Sequence, residues 1–118
     1  NRRQWGAPKA PGSDLSIDDL CRDMDEVDEL VVLDVRSARD YRGALGHIAG
    51  SRNIPLEQIA SKLPELLVRP DRRFAIVCTT DRRSKKAARI LAAEGLDDVH
   101  VVIGGMTQWN QQSLPIHN

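Results

Sequence analysis

Cysteine is scarce in this 118-residue chain: Cys21 and Cys78 are its only two, far apart and without Cys-x-x-Cys spacing. That argues against both a disulfide scaffold and a zinc knuckle, so a reducing compartment, the cytoplasm, is expected. An excess of charge is missing too, since seventeen basic and seventeen acidic side chains cancel to zero. Nothing in that balance invites nucleic acid or an anionic membrane surface, and any electrostatic specificity has to be local. No run approaches the roughly 20 apolar residues that span a bilayer, and the N-terminal residues lack the apolar core of a signal peptide. Acidic and histidine side chains do not recur at ligand spacing, so no metal is expected. There is no internal repeat.

With 41% hydrophobic residues, the chain is large enough to bury the core of one domain. Residues 1–13 carry Gly6, Pro8, Pro11 and Gly12 among basic Arg2, Arg3 and Lys9, and read as a linker or tail. Together with the absent initiating Met, this suggests a domain taken from a longer protein. Trp5 is available to dock on the domain, which is expected to occupy residues 14–118.

Asp14 or Ser16 can cap a helix in which Ile17, Leu20, Cys21 and Met24 make one apolar stripe, placing Cys21 in the core. Leu30 to Leu33 is a short, branched apolar run ending in Asp34, as a buried parallel strand should be. Asn53-Ile54-Pro55 reads as a brief extended piece, because the residue before proline avoids the helical region. Leu56 to Leu67 has helical spacing that Pro64 can break into two pieces. Phe74 to Val77 is another short strand, and it runs straight into Cys78-Thr79-Thr80-Asp81-Arg82-Arg83-Ser84 and a helical pattern that Gly95 stops. Val99 to Ile103 is a further strand, and Gly104-Gly105 precedes a short helix bearing Met106 and Trp109. Alternating strands and helices predict an open α/β domain whose sites collect at the C-terminal ends of the strands, where Cys78 falls.

A thiol attacks as its thiolate, and a helix N-terminus with adjacent cations favours that form. If residues 79 to 84 wrap the sulfur, their backbone N–H groups make an anion nest that stabilises a thiolate and a persulfide alike. Arg82 and Arg83 can attract an anionic donor, and Thr79, Thr80 and Ser84 offer hydroxyls, while Asp81 opposes that charge. The bland alternative is a small hydrophobe packed under the next helix. Asp34 with Arg36 reads as a structural pair, His47 as a hydrogen-bonded structural residue, His100 as pointing outward, and Trp109 as a core anchor.

The chain resembles the rhodanese family from about Leu15 to Ile116. Three blocks carry the likeness. The first is Leu33-Asp34-Val35-Arg36 with Asp40-Tyr41 and Gly46 through Pro55. The second is the loop Cys78 to Ser84, and the third is Gly104-Gly105-Met106 through Trp109 with Leu114-Pro115. The resemblance implies a rhodanese-like fold: a central, mostly parallel five-stranded sheet flanked by helices on both faces. It also implies Cys78 as the persulfide-forming residue, with Thr79, Thr80, Asp81, Arg82 and Arg83 completing its cradle. The implied activity moves a sulfane sulfur from a donor such as thiosulfate to cyanide, a thiol or a thioredoxin-like acceptor. Cysteine phosphatases place five residues between cysteine and arginine, whereas four separate Cys78 from Arg83, a ring suited to sulfur. Asp81 stands where the family often has glycine, and Ser113 where it usually has glycine. A non-catalytic sensory or protein-binding module of a larger protein is the alternative reading.

Overall fold

Four short strands make up the sheet of the computed structural model, which describes residues 9–10 and 12–118. They are β1 (Leu30–Asp34), β2 (Arg52–Asn53), β3 (Arg73–Val77) and β4 (Val99–Val101), joined in the order β2-β1-β3-β4 with every pairing parallel. The helices are α1 (Ile17–Glu26) before β1, α2 (Ala38–Tyr41), α3 (Ile59–Leu66) and α4 (Arg82–Ala93) between strands, and α5 (Gly105–Gln111) after β4. The expected α/β sheet with helices on both faces is present.

The strand alternation decides which helix covers which face. Val31 and Leu33 of β1 and Phe74 and Ile76 of β3 pack toward Ile59 and Leu66 of α3 and Ala87 and Leu91 of α4. Val32, Ala75 and Val77 point the other way, onto Ile17 and Leu20 of α1 and Met106 and Trp109 of α5. Cys78 follows Val77, so its side chain returns to the α3/α4 side. Because all strands run one way, one edge of the sheet collects every strand's C-terminal end, and β1 and β3 finish level there with Asp34 opposite Val77.

Several sequence expectations need correction. The sheet has four strands, not five. The segment beside β4 makes a single parallel bridge, Leu15 to Val102, with Leu15 N–H donating to Val101 O at 2.9 Å. No strand has room to grow there, because Ser16 already caps α1 through the Asp19 N–H at 3.0 Å. Met24 leaves the α1 stripe and is 40% exposed, and Cys21 is half-buried at the margin of the core. Pro64 does not split its helix: a 3-10 turn at Leu56–Gln58 leads into α3, which carries Pro64 inside it. His100 does not point outward. It is fully buried, with Nδ1 2.6 Å from Ser13 O and Nε2 2.6 Å from Asp98 Oδ1. Trp109 is the expected anchor, buried and donating from Nε1 to Pro115 O at 2.9 Å. Trp5 and most of the proposed linker lie outside the described residues. No helix among the described residues is long and apolar enough to cross a membrane.

Candidate active site

β3 ends in the fully buried run Phe74 to Val77, and the chain then turns at Cys78 and enters α4 at Arg82. The Cys78 sulfur is enclosed, with the residue 1% exposed. Two groups of buried Ser84 reach it: the backbone N–H donates to Sγ at 3.4 Å, and the hydroxyl oxygen lies 3.4 Å from Sγ. The sulfur therefore faces the first turn of a twelve-residue helix, where the macrodipole favours negative charge.

The orientation of the loop is set from behind by α5. Met106 N–H donates to Cys78 O and Thr107 N–H to Thr79 O, both at 2.9 Å. The peptide bonds of this loop are trans, so N–H and C=O of one peptide point in opposite directions. Holding the carbonyls of Cys78 and Thr79 against α5 turns the N–H groups of Thr79 and Thr80 away from it. Gly105 makes this approach possible. Its φ is +51°, and a Cβ there would overlap the carbonyl oxygens of Cys78 and Thr80 and lie 2.8 Å from that of Thr79. The loop carbonyls also satisfy the first amides of α5, whose N-cap, Gly104, has no side chain to do so.

The other loop residues separate into two groups. Arg83 donates from Nη2 to Thr79 Oγ1 at 2.9 Å, and its Nη1 lies 3.6 Å from Asp40 Oδ2 on α2. Thr79 and Asp40 line a cleft of about 250 Å³ with Arg36, Gly43, Ala44 and Leu45. Thr80, Asp81 and Arg82 instead line a broader cleft of about 490 Å³ along α4, with Lys85, Lys86 and Arg89. Four of the five residues expected to surround the sulfur thus divide between two clefts, and Arg83 contacts Thr79 and Asp40 of the smaller one. Asp81 has a local partner, Lys85 Nζ at 3.3 Å, and both are substantially exposed. Its position before α4 and that cation offset part of its charge.

The Asp34–Arg36 pair is structural. Both are 1% exposed, the guanidinium meets the carboxylate through Nε at 3.0 Å and Nη2 at 2.8 Å, and it also donates to Gly46 O at 2.7 Å and Asp40 O at 3.2 Å. Arg36 thereby fixes the wall of the smaller cleft. Asn53 buttresses the same corner, its Nδ2 donating to Asp34 O and Arg36 O. His47 stacks on Tyr41 with ring centroids 3.7 Å apart, and its Nδ1 is 2.8 Å from Tyr41 O, which occupies it structurally. Cys21 differs sharply from Cys78. Burial, then the neighbouring Asp18, pushes its thiol pKa up, and it has no loop around it.

Three contributors escaped the sequence reading: the amides of Met106 and Thr107, the close approach of Gly105, and the Asp40 carboxylate on Arg83. The Gly104-Gly105 dipeptide was the available signal for the first two, because paired glycines often mark close backbone approach. Among the described residues, no group of three or more His, Cys, Asp or Glu side chains is placed to hold a metal ion.

The rhodanese-like domain family matches residues 16–112. A thiosulfate sulfurtransferase, GlpE of Shewanella oneidensis, is 30% identical over 97 residues, covering 82% of this chain and 91% of that protein. An uncharacterized protein of Bacillus subtilis, YqhL, is 35% identical over 78 residues, covering 66% of this chain but only 59% of its own length. The crystal structure of a rhodanese-like domain protein from Staphylococcus aureus superposes with a TM-score of 0.76 at 27% identity, covering 90% of this chain and 99% of that one.

Proposed function

The chain belongs to the rhodanese-like domain family, and on that premise we propose that it is a sulfurtransferase working through a persulfide on Cys78. The Cys78 thiolate attacks the outer sulfur of a donor such as thiosulfate. A sulfur–sulfur bond forms to Cys78 as the donor's own breaks, and the electron pair of the broken bond leaves with sulfite. An acceptor thiolate, from a small thiol or a thioredoxin-like protein, or cyanide in the test tube, then attacks the terminal sulfur and frees the Cys78 thiolate. No cofactor enters this cycle.

The observation that carries the reading is the backing of the loop by α5. With the carbonyls of Cys78 and Thr79 engaged there, amide hydrogens rather than carbonyl oxygens remain for the interior of the loop, and Ser84 adds an N–H to the sulfur itself. Such a preorganised set of donors suits an anion that stays negative before and after sulfur uptake. In this scheme Arg83 and Thr79 receive the anionic donor at the smaller cleft, and Thr80, Asp81 and Arg82 complete the opposite rim.

Intact mass spectrometry after brief treatment of the reduced protein with thiosulfate tests the proposal. The expected result is a gain of one sulfur atom, absent in Cys78→Ser and removed by cyanide. Cys21, with its raised pKa, serves as an internal control that stays unmodified. No gain with thiosulfate or with other persulfide donors would sink the reading in favour of a binding module.

A further inference from the structure

Zero net charge conceals an uneven distribution. On α4, Arg82, Lys85, Lys86 and Arg89 fall at i, i+3, i+4 and i+7, one face of a helix, and all four are exposed. The opposite face, Ser84, Ala87 and Leu91, is buried in the core. The cation stripe is costly in two ways: like charges three and four residues apart repel, and three of them lie in the first five residues of the helix, where the dipole disfavours positive charge. Only Lys85 has an ion-pair partner, Asp81; Arg82, Lys86 and Arg89 have none among the described residues. The stripe lines the broader of the two clefts beside the Cys78 loop.

We propose that this stripe is the docking surface for an acidic protein that accepts sulfur from Cys78, an inference that rests on the sulfur-transfer reading above. Four cations along ~10 Å of helix match a short acidic segment. The stripe includes no aromatic side chain on which a nucleic-acid base can stack, and the only large apolar residue of α4 that is exposed is Ile90, at 37%. Both facts favour a protein surface over nucleic acid or lipid. Acidic residues on the incoming chain pair with Arg82, Lys86 and Arg89 and bring an adjacent thiol to the loop from the α4 side, while the smaller cleft serves the small anionic donor.

The test uses protein loaded with sulfur from thiosulfate and follows its discharge by three synthetic peptides that carry one cysteine flanked by glutamates, by serines or by lysines. The glutamate peptide should discharge the persulfide about tenfold faster than the lysine peptide at low salt, and the advantage should fade as salt rises. In the double variant Lys86→Glu/Arg89→Glu the order should reverse, while discharge by 2-mercaptoethanol changes less than twofold. Equal rates for the three peptides, or a preference for glutamate that survives the double variant, would overturn the docking surface. Retention on phosphatidylglycerol vesicles without discrimination among the peptides would overturn it in favour of a lipid surface. If thiosulfate loads no sulfur, the sulfur-transfer reading fails instead. Fluorescence anisotropy of the labelled glutamate peptide, with and without the double variant, then decides the docking surface alone, and absence of charge-dependent binding overturns it.

Discussion

The two edges of the sheet bury ionic clusters of different kinds. Where the strands end, Asp34 and Arg36 sit two residues apart, and the remaining Arg36 bonds go to carbonyls four and ten residues away. Where the strands begin, Arg73 of β3 meets Asp23 from 50 residues away, Asp98 from 25 and the Lys9 carbonyl from 64, and His100 reaches Ser13 across 87. The first cluster shapes a corner beside the site out of neighbouring sequence. The second fastens distant segments together: α1, the approach to β4 and the stretch before Leu15. At the site end the ionic contacts are all local, whereas at the other end long-range contacts built around the local Arg22–Asp23 pair serve the closure of the fold.

The sharpest way to break that contrast is to remove one arginine from each cluster. Arg36→Ala leaves the buried Asp34 carboxylate without its cation and should cost about 4 kcal/mol in chemical denaturation. It should also slow persulfide formation in the molecules that remain folded, because the wall of the smaller cleft loses its anchor. Arg73→Ala leaves Asp23 its contact with Arg22 and Asp98 its contact with His100, and so should cost less, about 2 kcal/mol for the lost charged hydrogen bonds. Persulfide formation per folded molecule should then be unchanged. If the two variants slow the chemistry equally, the division of labour between the edges is wrong.

Smaller effects sharpen the comparison. Ser113 is the one non-glycine residue with positive φ, at 56°, among those described. Ser113→Gly relieves the left-handed strain at some cost in unfolded-state entropy and should raise stability by up to about 1 kcal/mol, read as a higher denaturation midpoint. The smallest effect belongs to Asp19. Burial raises its pKa, but hydrogen bonds from the Ser16 backbone and hydroxyl, with Lys9 and Arg22 nearby, outweigh this and hold it below the ordinary 3.8. A carboxylate with a depressed folded pKa contributes stability above its unfolded pKa and loses it as pH falls through the folded one. Asp19→Asn should therefore cost under about 1 kcal/mol at pH 7, a difference that shrinks as pH drops below 3.8 in paired denaturation curves.

The same contrast explains what could be read from the amino acids alone. The site edge was legible because its contacts are close in sequence: apolar runs ending in Asp34 and Cys78, a polar loop, and a helix start. His100 was misread because strand alternation assigns faces without knowing what covers them. Its cover, Ser13, belongs to a segment that lies 87 residues earlier and resembles a linker. The fifth strand that the resemblance implied is cut short in this chain, since Leu15 pairs with Val102 but the cap at Ser16 stops the pairing at once. The division of the loop residues between two clefts was out of reach for a further reason. It depends on the side-chain directions of Arg82 and Arg83, adjacent residues that a helix sends about 100° apart.

The dependence of the loop on α5 also bears on when a newly made chain becomes competent. Cys78 and its flanking residues leave the ribosome well before Met106 and Thr107, whose amides hold the loop carbonyls. Until those residues emerge and Gly105 closes against the turn, the segment around Cys78 lacks its backing. On the proposed sulfur-transfer reading, translation order alone keeps Cys78 idle until α5 is made, and a chain stalled before Thr107 carries the cysteine without its cradle.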